Sequence, residues 1–172
     1  MLKIMGSILV FAAAAGMAGT YKRELADHLA LLYALRKLLV DLSCYGNGTR
    51  QPVEVLLGCF VRTPDERLNE IRRKITDCLI EKNEKNGELV WKRVFEEYRK
   101  KLCLTGEESA LIEEAGDALF GRSEEENHRR LTLILEQLDD RIKTVRGELG
   151  EKQKIYATVS MVMGGMLVIL LI

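Results

Sequence analysis

The residues that could carry chemistry are two histidines, four cysteines and a set of clustered carboxylates. His28 and His128 lie far apart in the chain, the first beside a leucine stripe and the second on one. Both read more simply as packed or half-exposed helix residues than as a base or a metal ligand. Cys44, Cys59, Cys78 and Cys103 are separated by 15, 19 and 25 residues, with no CxxC or CxH pair, so the spacing offers no zinc site. Their even number leaves disulfide pairing open, as a secreted chain would allow, but each has apolar neighbours, where a reduced thiol behaves as a small hydrophobe, and this is the favoured reading. The carboxylates are Glu107, Glu108, Glu113, Glu114 and Asp117, then Glu124 to Glu126. Their first and last groups stand where helices should begin, and acids there complement the positive end of the helix dipole. No HExxH, GxSxG, GxGxxG or phosphate-cradling GxxxxGKS/T run occurs. The expectation is a chain without a catalytic residue, metal, cofactor or small-molecule substrate.

The remaining candidates are basic. Arg72-Arg73-Lys74 and Arg99-Lys100-Lys101 form two clusters. Arg72, Arg73, Arg99 and Lys100 could meet an acidic partner or lipid head groups, although a solvated helix face is the default reading. Nucleic acid is excluded as a partner by charge. All 26 acidic residues, and all but Lys3 of the 26 basic ones, lie between Lys22 and Lys154, leaving that segment at net −1.

The elements that hold these residues read as helices throughout. Two prolines, 30% charged residues and 6% aromatics favour helix over sheet, and no run alternates with period two. Leu25, Leu29, Leu32, Leu35, Leu39 and Leu42 make one stripe, ended by the turn Tyr45-Gly46-Asn47-Gly48. Pro52 opens a short helix with Val53, Leu56, Leu57 and Phe60. Thr63-Pro64-Asp65-Glu66 reads as a capping box for a helix that buries Leu68, Ile71, Ile75, Cys78 and Leu79, with Asn86-Gly87 near its end. A helix from Leu89 to Leu102 carries Trp91, Val94, Phe95, Tyr98 and Leu102, Trp91 being a core residue. Thr105 and Glu108 form a second box, for a helix closed at Gly121, and Ser123 with Glu126 a third. After it, His128, Leu131, Leu135, Leu138, Ile142, Val145 and Leu149 form a heptad-like seam, with Gly147 and Gly150 as a candidate hinge.

Two charge-free runs frame the chain, Ile4 to Tyr21 and Ile155 to Ile172. Each would be roughly 27 Å long as a helix, near the lower limit for crossing a bilayer. Lys22 and Arg23 follow the first, and Lys152 and Lys154 precede the second. The positive-inside rule then places the middle segment in the cytoplasm. The expected organisation is all-α: a membrane helix over 1–21, a bundle of about five to six helices over 22–154, and a second membrane helix over 155–172. Ala12/Gly16, Ala15/Gly19 and Ser160/Gly164 have the small-residue spacing that lets such helices pack closely. The small residues after the first run leave another reading open: a cleaved signal ahead of a secreted or tail-anchored helical binding module.

LKIMGSILVFAAAA near the start, DLSCYGNGTRQPVEVLLGCF with Tyr45, Gly46 and Pro52, SALIEEAGDALFGRSEEENHRRLTLILEQLDD, and GGMLVILLI, in that order, resemble the stage III sporulation protein AB family. The resemblance covers nearly the whole chain. It implies a helical bundle similar to the cytoplasmic domains of inner-membrane platform proteins of type II secretion and type IV pilus systems. It also implies a non-enzymatic structural part in the channel complex between mother cell and forespore, in the cell membrane on the mother-cell side. The implied partners are other stage III sporulation proteins, above all a cognate secretion-type ATPase, and membrane lipid.

Overall fold

A computed structural model describes residues 22–43, 63–80, 86–121 and 123–171. These residues form five helices and no strand. We number them α1 (residues 22–43), α2 (Glu66–Ile80), α3 (Gly87–Leu102), α4 (Gly106–Phe120) and α5 (Glu124–Leu171). The first apolar run, the turn with Tyr45 and Gly46, the short helix after Pro52 and the final Ile172 lie outside the described residues. Among the described residues no helix is long and apolar enough to cross a membrane. The α5 backbone is helical through Ile155 to Leu171, as the sequence predicts.

The chain divides into two compact units, Ala30–Ile142 and Met1–Leu29 with Lys143–Ile172. In the first, α2 packs on α3 and α3 on α4. Helix α1 contributes Leu31, Leu32, Ala34, Leu35, Leu38, Leu39 and Leu42 to the core, while Leu29 is only half-buried. The expected stripe is therefore too narrow. Leu31, Ala34 and Leu38 form a second buried row, so this helix is covered on a broad face and not along one seam. An Arg36 fork grips Asp139 of α5, Nε to Oδ1 at 2.5 Å and Nη2 to Oδ2 at 3.0 Å. In the second unit, Val145 is buried, and Leu25, His28 and Leu149 are half-buried.

Helix α2 buries Leu68, Ile71, Ile75, Cys78 and Leu79, the stripe read from its sequence. Its start differs. Asp65, not Thr63, caps it: Asp65 Oδ1 accepts the Arg67 backbone N–H at 2.9 Å, and the Arg67 side chain closes a fork on the same carboxylate. That fork holds the Asp65 carboxyl below its ordinary range. Thr63 is tied instead to Asn69, whose side chain bonds both the Thr63 N–H and its carbonyl. Asn86-Gly87 is likewise reassigned. Asn86 accepts the Leu89 N–H and opens α3, so the pair begins a helix. Gly87 is required there because a Cβ would fall 2.2 Å from the Phe120 ring.

Trp91 is 1% exposed, and its Nε1–H donates to the Ile112 carbonyl of α4 at 2.8 Å. Phe95 lies beside it with ring centroids 4.6 Å apart. The capping box at Thr105 forms in full, with Glu108 answering the Thr105 N–H. Helix α4 closes at Gly121, whose carbonyl accepts from the Asn127 side chain at 2.8 Å. In α5 the buried row is Leu131, Ile134, Leu138, Ile142 and Val145. His128 is exposed and Leu135 half-buried, a correction to the expected seam. A straight helix turns every 3.6 residues, so the buried row drifts from a strict heptad. Helix α5 runs through Gly147 and Gly150 without a break.

Candidate interaction surface

The two basic clusters face each other across the α2/α3 hairpin. Lys74 pairs with Glu97 at 2.5 Å, Lys101 with Glu70, and Arg93 reaches the Cys78 sulfur at 3.8 Å. These links step one helical turn at a time, 70 to 101, 74 to 97 and 78 to 93, so α2 and α3 run antiparallel in that register. Both lysine Nζ atoms lie 5.4 Å from the centre of the Tyr98 ring, between them. Glu97 and Glu70 raise the Lys74 and Lys101 pKa values through these bonds. Lys74 and Lys101 thus link α2 to α3 at the surface, over the apolar contact of the two helices.

The four cluster residues singled out from sequence are placed less uniformly. Arg73 leans on Glu66 at 3.8 Å and Arg99 on Glu96 at 3.5 Å. Arg72 is half-buried and Lys100 exposed. Arg99, Lys100 and Lys101 occupy the last turn of α3, where cations offset the negative end of the dipole. Cys103 then closes that helix in the left-handed region, at φ 54°. Cys78 and Cys103 are free thiols, the first buried and the second exposed. Among the described residues no three His, Cys, Asp or Glu side chains gather where a metal could bind.

A different surface lies between α4 and α5. Glu107, Ala110, Leu111 and Glu114 of α4 and Gln137, Asp140 and Arg141 of α5 line an open groove of about 410 Å³. Arg141 joins its two helices, 3.3 Å from Glu107 and 3.6 Å from Glu108. Glu108 is fully buried, so one carboxylate serves both as the capping-box acid of α4 and as an anchor for α5. Beyond the groove Lys92 bridges Glu88 at 3.0 Å and Asp117 at 2.8 Å, joining α3 to α4. Those two carboxylates push the Lys92 pKa well above its ordinary value, Asp117 more than Glu88. The sequence shows Glu108 as a cap but gives no sign of Arg141, whose partners lie more than thirty residues away.

The profile of the stage III sporulation protein AB family matches residues 3–172. The chain belongs to that family. No curated protein and no solved structure matches it. For a member of the stage III sporulation protein AB family the role is in sporulation, and its partners are to be sought among other sporulation proteins. Nearly the whole chain is matched, both apolar runs included, so the family pattern is not confined to the helical bundle.

Proposed function

We propose that this family member is a non-enzymatic structural component of the channel complex between mother cell and forespore, mounted in the membrane by residues 4–21 and 155–172. Its helical bundle would lie in the cytoplasm and serve as the platform for a secretion-type ATPase. Family membership supports the setting. The observation that carries the mechanical part is the Arg36–Asp139 fork, which ties together the two helices that lead into the apolar runs. A bidentate pair fixes orientation as well as distance, and an adaptor bearing a motor needs such stiffness. The lysines flanking both runs support cytoplasmic placement of the bundle.

Cys103 provides the test because it is exposed. In a sporulating cell producing a chain with Cys103 as its single cysteine, a membrane-impermeant maleimide should label it only after permeabilisation. Labelling in intact cells overturns the cytoplasmic placement. A mature amino terminus beginning after the first apolar run overturns the two-point mount.

A further inference from the structure

We infer that the groove between α4 and α5 seats a cationic amphipathic segment of the partner ATPase, with an apolar side chain against Ala110 and Leu111 and lysine or arginine side chains toward Glu107 and Glu114. This inference deepens the platform reading above and rests on it. Three observations carry it.

The first is charge. Helix α4 holds Glu107, Glu108, Glu113, Glu114 and Asp117 and no basic residue. Arg141 is the one cation that lines the groove, and it is engaged by Glu107 and by the buried Glu108. Glu114 stands exposed on the rim. Such a wall repels phosphate-rich surfaces, so anionic lipid and nucleic acid do not suit it.

The second is shape. Ala110 and Leu111 are the apolar residues of the lining, and Ala110 lies in the row between Glu107 and Glu114. Those glutamates are seven residues apart, two helical turns, or roughly 10.5 Å along one face. An incoming helix with cations two turns apart and an apolar residue between them repeats that spacing in the opposite charge.

The third is rigidity. Glu108 is capped into α4 and paired with Arg141 on α5, so the two helices that form the walls are joined beside the groove. A partner therefore meets a preformed surface and orders little on binding.

The test measures binding of the full chain, in detergent, to the purified ATPase. The variants are E114K, A110W and, as a charge-changing control on the hairpin, K100E. Glu114, Ala110 and Lys100 are all exposed, so the fold should persist, and circular dichroism checks it. The wild-type affinity should fall as salt rises. E114K and A110W should each weaken it by about tenfold, and K100E should leave it unchanged. If the wild type binds and both groove variants bind equally well, the groove is not the site and the platform reading survives. If K100E alone weakens binding, the partner uses the basic hairpin and the groove inference fails. If the wild type does not bind the ATPase, the platform reading falls and the groove inference falls with it.

Discussion

Gly116 faces the Trp91 indole so closely that a Cβ would sit 2.4 Å from its Cδ1. In an open helix, exchanging glycine for alanine gains about 1 kcal/mol. Here the obstacle is a ring held by its hydrogen bond to Ile112, and overpacking costs about 1–3 kcal/mol. Gly116→Ala should therefore destabilise the chain, and a lower urea midpoint would show it. Asp65 gives a pH signature. Its folded pKa lies below the unfolded value of about 3.9. Its contribution is thus present above that value and is lost as pH falls through the folded pKa. The stability gap between wild type and Asp65→Asn should narrow as pH drops below about 4, as read by thermal melts across that range. A gap independent of pH would mean that the fork with Arg67 adds nothing. Residue types made both sites visible only in part. Thr63 and Asp65 are both good caps, two positions apart; Arg67 closes its fork on Asp65, while Asn69 engages Thr63.

At the scale of elements, local chemistry was largely legible. The α2 stripe and the Thr105 box involve residues close in sequence, so periodicity and capping rules suffice to find them. Some of the misreadings involve distant partners. Asn-Gly can end one helix or start the next; it starts α3 through the Asn86 bond to the Leu89 N–H, and the need for glycine at position 87 comes from Phe120, more than thirty residues on. The α4/α5 groove escaped notice for the same reason: Arg141 draws its meaning from Glu107 and Glu108. The hairpin clusters were seen as charge, but their pairing needed the α2/α3 register. Helix α5 allows an element-level prediction. A Cβ at Gly147 or Gly150 would meet nothing within 4 Å. The helix-propensity gain of about 1 kcal/mol per site is then unopposed. Gly147→Ala and Gly150→Ala should slow amide exchange in the following turns. Unchanged exchange would mean that these glycines are not weak points.

For the molecule as a whole, α1 is the element whose loss would be felt most. Six of its leucines are no more than 2% exposed. Burying each stabilises by about 2 kcal/mol, and together they match the full stability of a small domain, about 5–15 kcal/mol. A chain lacking residues 1–43 should lose cooperative unfolding, seen as a broad urea transition and loss of near-ultraviolet dichroism. A sharp transition would show that the remaining helices form a core alone. Residues 30–43 of α1 are therefore part of the core of the unit Ala30–Ile142.

The chain has a single tryptophan, and it is sealed against α4 by the bond to Ile112. Its emission should lie toward the blue, resist quenching by iodide, and report only on the unit Ala30–Ile142. Reconstitution into vesicles could then be followed without interference from the apolar ends, which contain no indole. A red shift on adding any ligand would mean that the inside of the bundle had opened, whereas a partner seated at the surface would leave the colour unchanged.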